Sequence, residues 1–412
     1  MTLLAEKSMH SPLQKWLRLC LFNLLLVALI GIILRYKIAF SLPFVDQKYL
    51  LHGHSHFAFA GWITQALMVL LVARLGPKDT EGEFKKYHFL LLANLVTAYG
   101  MLITFIFQGY GLFSIIFSTL SVLVSYSFAI KYWKDLNRID MAPTIKASFR
   151  IAVFFNAFSS LGVFTLAYMM ATKHMIQNIY LASVYFYLHF QYNGWFFFAC
   201  LGLLISVLIR LGANEDKLDR VFRLFALAAI PAYLLSVLWF SLPTWLYALI
   251  VIAVVLQIVG WLMLMQLVIR VKSALLKEFS PISRSLLLLS ALAFAIKLLL
   301  QAGSVIPYFS KLAFGFRPIV IGYLHLVLLG LISFFIIGYI FSMKQVVASK
   351  PVITALKFFI AGVIFNEMLL MLQGLADLNY TGIPYINYGL LSAAVLMFYG
   401  LLALNIAMTK KI

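Results

Sequence analysis

Apolar residues in this chain come in long blocks separated by short polar breaks. There is no alternation of period two and no one-sided helical stripe. Twelve blocks can be marked, at 17–36, 51–73, 87–108, 110–130, 148–171, 179–209, 221–240, 243–268, 283–302, 318–342, 353–374 and 385–408. A helix rises 1.5 Å per residue, so about 20 apolar residues cross a hydrocarbon layer of about 30 Å, and each block is apolar all round, as a lipid-embedded helix must be. The pattern predicts an all-α integral membrane protein of about twelve transmembrane helices, forming one polytopic domain over residues 1–412. The longest breaks, Gly76–Lys86 and Trp133–Ala147, are too short for a soluble domain.

Composition sharpens this picture. The chain is 64 % hydrophobic and 11 % charged with mean hydropathy +1.00, which excludes a soluble globule. The formal net charge of +19 would fit a nucleic-acid binder, but its placement argues otherwise. With the N-terminus inside, 25 of the 32 Lys and Arg residues fall on inner loops and tails. Six fall outside (Arg35, Lys37, Lys48, Lys173, Lys311 and Arg317), and Lys297 lies within the ninth span. This is the positive-inside distribution, so the basic charge sets topology, no nucleic acid is expected, and the lipid bilayer is the main partner. The expectation is a multi-pass protein of the cell inner (plasma) membrane with both termini cytoplasmic, Met1 to Gln14 being a polar tail rather than a signal peptide. Cys20 and Cys200 lie in apolar spans and read as small buried residues, not as a disulfide.

The chemistry concentrates in histidines on spans two, six and ten. The second span opens with His52-Gly53-His54-Ser55-His56, the sixth carries His189 and the tenth carries His325. Even-numbered spans run from outside to inside in this topology. At 1.5 Å per residue, the trio lies within the first ~8 Å of its span, His325 roughly 10 Å and His189 roughly 13–15 Å in. Imidazole inside lipid is costly and marks function, and five at similar depth predict a haem or metal site in the outer part of the bilayer. A helix turns about 100° per residue, so His52 and His56 share a face while His54 points about 160° away. The trio can therefore serve ligands on two sides of one helix. A histidine that only hydrogen-bonds a neighbouring helix is the plainer alternative for each. His10, His88 and His174 lie in tails or at span ends and read as solvated.

Lys297 in span nine and Glu367 in span eleven are charged groups at membrane depth. They pair, line a proton path, or are neutral. Asn156, Gln191, Asn193, Gln65, Gln257, Asn366 and Gln373 read mainly as interhelical hydrogen-bonding groups. Arg317 and Lys311 are placed either to pair with haem propionates or to anchor the interface. No Cys-x-x-Cys-His, phosphate loop, zincin His-Glu-x-x-His or dinucleotide glycine motif occurs, so any haem is non-covalent and of b type.

Twelve spans with histidines on two, six and ten resemble the catalytic subunit (subunit I) of the haem–copper oxidase superfamily. His189-Phe190-Gln191-Tyr192-Asn193-Gly194 looks like the His-x-x-x-Glu-Gly run of nitric oxide reductases, with Asn193 in place of the glutamate. The His-x-His opening span two also resembles the NnrS family of haem-containing membrane proteins linked to nitric oxide. The resemblance implies a subunit I-like bundle. A haem would be ligated by His325 and one of His52, His54 and His56, with Arg317 beside it. A second metal, copper or iron, would be drawn from His189, His54, His56 and His325, or those residues would line a gas pocket. It further implies oxidoreductase chemistry on nitric oxide or oxygen, with a quinol or cytochrome as electron donor. Two departures favour one haem over two: span seven lacks the oxidases' His-His pair, and span ten has a single histidine.

The competing class is a multi-pass transporter of a metal ion or small solute using the same histidines. No internal repeat or paired helix break is evident to favour it. The charge asymmetry carries the first prediction: reporter fusions after Leu112 and Lys350 will report outside and inside respectively, and the reverse pattern would discard the topology.

Overall fold

The structure, a computed structural model, describes residues 11–76, 79–309 and 316–409. It is all-helical, with no strand among the described residues. In chain order the long helices are α1 (Pro12–Ala39), α2 (Gln47–Leu75), α3 (Thr80–Gln108), α4 (Leu112–Asn137), α5 (Pro143–Thr172), α6 (Gln177–Arg210), α7 (Glu215–Ala229), α8 (Thr244–Arg270), α9 (Pro281–Ser304), α10 (Arg317–Ser342), α11 (Lys350–Leu378) and α12 (Ile386–Thr409). Eleven are long and apolar enough to cross a membrane. Joined to the 3₁₀ turn Pro231–Val237 across a 43° bend, α7 passes the same test, which gives up to twelve spans among the described residues. This is a multi-pass membrane protein.

Several helices extend past their apolar blocks where polar caps satisfy the first amides. The Ser11 hydroxyl accepts from Gln14 N–H (3.3 Å), with Pro12 in the first turn, and Asp46 accepts from Tyr49 N–H (2.8 Å). Asn214 accepts from Lys217 N–H (2.9 Å), which starts α7 at Glu215 rather than at the apolar edge near 221. Pro231 then ends it. Proline has no N–H to donate and its ring crowds the preceding turn, so the chain tightens and Tyr233 N–H bonds to Ile230 O.

The element order repeats three times, a regularity that sequence reading alone did not expect. Spans α1–α4, α5–α8 and α9–α12 are successive sets of four. In each set the first helix begins with proline (Pro12, Pro143, Pro281). In each, the second helix widens into a π-helical segment: Ala58–Thr64 in α2, Phe190–Phe196 in α6 and Leu326–Ser333 in α10. Such widening disturbs the regular backbone pairing, and backbone groups inside a bilayer must find partners within the protein. The first helix of each set meets that need. Asn23 of α1 donates to Gly61 O (2.6 Å), and Ser290 of α9 donates to Leu331 O (2.7 Å). In the middle set Asn156 and Ser159 of α5 hold Gln191 in the π segment (3.0 and 2.8 Å). Asn94 of α3 adds a bond to Ala60 O (3.1 Å), and Tyr99 hydroxyl donates to Asn23 Oδ1 (2.8 Å).

The chain groups into two compact units. One comprises the chain up to Asp135, Ser280–Ser283 and everything from Ile336 onward; the other comprises Leu136–Phe279 and Arg284–Phe335. In the first, α12 packs along α11 and α1, and α2 packs against α1 and α3. In the second, α7, its 3₁₀ extension and α8 share a core of Ala228, Ala232, Leu235, Ile250, Ala253 and Val254. The helices α2 and α6 are the most enclosed spans, with 83 % and 78 % of their apolar stretch buried against 17–50 % elsewhere. Two of the three histidine-bearing spans are thus the inner ones.

The dependence of the α2 π segment on Asn23 is testable. Replacing Asn23 with Leu strands both Gly61 O and the Tyr99 hydroxyl, and an orphaned buried polar group costs about 1–3 kcal/mol. The detergent-solubilised variant will melt several degrees below the parent, while the exposed Ser392→Ala will not. Equal midpoints would contradict the assignment.

Candidate functional site: three histidines at the mouths of π turns

Each π segment begins one or two residues after a histidine and contains the glycine five residues beyond that histidine. The runs are His56-Phe57-Ala58-Phe59-Ala60-Gly61-Trp62, His189-Phe190-Gln191-Tyr192-Asn193-Gly194-Trp195 and His325-Leu326-Val327-Leu328-Leu329-Gly330-Leu331. The first two share His-Phe-x-aromatic-x-Gly-Trp. This short repeat is visible in the sequence once the π segments mark where to look; lipid-facing helices share so much apolar composition that a seven-residue echo is easily passed over. The glycines let helices close up. A Cβ at Gly194 would lie 2.6 Å from Phe155 Cβ on α5, and one at Gly330 would lie 3.2 Å from Ala293 Cβ on α9.

The α2 histidines divide between two faces. His52 and His56 turn toward α3. The His56 ring stacks on Phe105 at 4.3 Å and 9°, and the His52 ring lies 6.0 Å from Phe105 and 4.7 Å from Tyr110. His56 Nε2 is 3.4 Å from the Tyr110 hydroxyl, and His52 Nε2 is buried with no hydrogen-bond partner. His54 turns the other way, to α1, where its Cε1 lies 3.6 Å from the position a Cβ would take at Gly31. Gly53 between them allows close approach to α3, for a Cβ there would sit 2.8 Å from Ile106 Cγ1 and 3.2 Å from Leu102 O.

His189, 1 % exposed, has both ring nitrogens engaged. Nε2–H donates to Ala229 O (2.9 Å), and Nδ1 accepts from Asn193 Nδ2–H (3.1 Å). Ala229 is the last residue of α7, whose carbonyl is released by the break at Pro231. The imidazole thus caps the broken span, and Tyr233 hydroxyl adds a bond to Ala182 O (2.9 Å). Nearby, the Tyr192 hydroxyl bonds with those of Tyr323 and Ser236. A metal at His189 would have to displace Asn193.

His325 is arranged differently. Its Nδ1–H donates to Ile321 O (2.8 Å), one turn back on its own helix, which leaves Nε2 as the lone-pair nitrogen. A backbone carbonyl fixing the far nitrogen is the usual support of a metal-ligating imidazole. The stretch Arg317–His325 has no buried residue, and Arg317 stands exposed at its head.

The remaining polar groups take separate partners. Lys297, 3 % exposed, donates to Gln301 Oε1 (3.0 Å) and lies over the Phe294 ring at 5.3 Å. Glu367 accepts from Asn366 (3.0 Å), with Arg35 in electrostatic reach. Each therefore has a hydrogen-bonding partner on its own helix. Lys311 and His10 lie outside the described residues; His88 edges Trp16 at 5.9 Å and His174 is exposed. The α2 histidines belong to the first unit, and His189, His325 and Arg317 to the second. Among the described residues no three His, Cys, Asp or Glu side chains converge on one metal position.

The capping role of His189 has a direct consequence. His189→Ala frees Ala229 O at a cost of about 1–3 kcal/mol, while His189→Gln keeps a donor and recovers part of it, as thermal midpoints in detergent will show. An undiminished midpoint for the alanine variant would remove the cap. No protein-family model matches the chain, and no curated protein is significantly similar to it, so the chemistry must come from the residues themselves.

Proposed function

We propose that this chain is a membrane haem protein of redox or gas-ligand chemistry, a member in architecture of the haem–copper oxidase type, with His325 as an axial ligand. The observation that carries the reading is the His325 imidazole, held by Ile321 O in the tautomer that presents Nε2 at the mouth of a π turn. π turns recur at functional sites because they aim side chains that a regular helix cannot. The threefold order of four spans and the recurrence of His-x₄-Gly support the same reading.

Of the α2 histidines, His54 is turned away from α3, whereas the rings of His52 and His56 are packed on Phe105 and Tyr110. Arg317, exposed at the head of α10, is suited to a propionate. Bound b-type haem would supply electron transfer or binding of nitric oxide or oxygen. The chain's own contribution is to fix imidazole tautomers and exclude water. A second metal, copper or iron, and a quinol or cytochrome donor belong to this proposal, as does a plasma-membrane setting with cytoplasmic termini.

A transporter of a metal ion or small solute is the second reading, favoured by the break in α7 and the buried Lys297. Pyridine-haem quantification on membranes separates the two. The parent will carry haem, and His325→Ala will lose it, since no other histidine lies on α10. Equal haem in parent and variant would end the assignment of His325, and a parent without a Soret band would leave the transporter.

A further inference from the structure

The face of α2 opposite His54 carries a constellation that the haem reading does not use. Close packing at Gly53 lays α3 along this face, so that Phe105 stands beside both His52 and His56. At the end of α3, Gly109 has φ +58°, a conformation that favours glycine, and it packs on the Tyr49 ring. The resulting turn carries Tyr110 back over the two imidazoles. Two histidines four residues apart on one helical face thus meet a phenol brought in from the α3–α4 turn.

Two features ask for something more than aromatic packing. His52 Nε2 is buried without a hydrogen-bond partner, an arrangement that ordinarily carries a cost. His56 Nε2 and the Tyr110 hydroxyl are 3.4 Å apart, long for a hydrogen bond between them. That separation is close to the edge of a tetrahedron, about 3.3 Å, for ligand atoms about 2.0–2.1 Å from a zinc-like ion. Tyr110 is 46 % exposed, so the place is reachable from water.

We propose that His52, His56 and the Tyr110 hydroxyl form a site for a divalent transition-metal ion of the copper–zinc class, separate from the haem. Imidazole and phenol donors suit such ions, and water fills the remaining position. Gly53 and Gly109 are positioning residues, since each allows the backbone approach that brings the donors together. The site stands whether or not haem is bound, and it does not use His54.

The test uses the purified full chain, stripped of metal and dialysed against Zn²⁺, with elemental analysis, and against Cu²⁺, with electron paramagnetic resonance. The parent will hold one ion per chain with nitrogen coupling in the copper spectrum. His52→Ala and His56→Ala will each weaken binding at least tenfold, and Tyr110→Phe by about tenfold, with the haem Soret band unchanged. His54→Ala will keep the metal. Tyr110→Phe removes one oxygen only, so it reports even where a histidine variant fails to fold. Unchanged metal affinity in both His52→Ala and Tyr110→Phe would overturn the site, and so would haem loss in folded His52→Ala or His56→Ala, which would make them haem ligands. A parent that lacks haem but binds the ion would sink the haem reading alone.

Discussion

Every backbone amide and carbonyl inside a bilayer must be paired by the protein, because hydrocarbon offers no alternative partner. Most of this chain meets that demand with regular helices, whose bonds are internal. Four places depart from regularity, namely the π segments of α2, α6 and α10 and the break in α7, and buried polar side chains gather at each of them. Asn23, Asn94, Ser290 and His189 each donate to a carbonyl at one of these irregular points. These four residues therefore bond the points where the backbone departs from a regular helix, each from another span.

The same demand divides the histidines by what they can do. His189 spends both nitrogens on Ala229 and Asn193, so it holds α7 in its broken shape. His325 donates from Nδ1 to a carbonyl of its own helix, which makes Nε2 the lone-pair nitrogen. The two occupy equivalent places in successive four-span sets, yet one bonds across to the next span and the other to its own helix. The difference traces to Pro231: where the following span is broken, a carbonyl needs the imidazole.

Small residues set the distances on which these contacts depend. Gly53 admits α3, and Gly194 and Gly330 admit α5 and α9 to the π segments. In lipid, helices gain little from hydrophobic association with one another, so close packing and interhelical hydrogen bonds must supply the attraction. A glycine beside a histidine then does two things at once: it brings the neighbouring helix near, and it fixes which way the ring can turn.

The sequence by itself determined the all-helical membrane class, because runs of about twenty apolar residues have no other way to satisfy their backbones. It also singled out the five intramembrane histidines and separated His54 from His52 and His56, since helical periodicity alone fixes those directions. Asn156 and Gln191 were legible as interhelical partners, though their assignment to a π segment was not. What only the tertiary structure decided was the widening after each histidine, the bend at Pro231 and the tautomers that follow. A π turn depends on donors from a different span, as Asn23 supplies to Gly61 from far along the chain. Periodicity within one helix records which residues share a face; it does not record which neighbouring helix brings a hydrogen bond to that face.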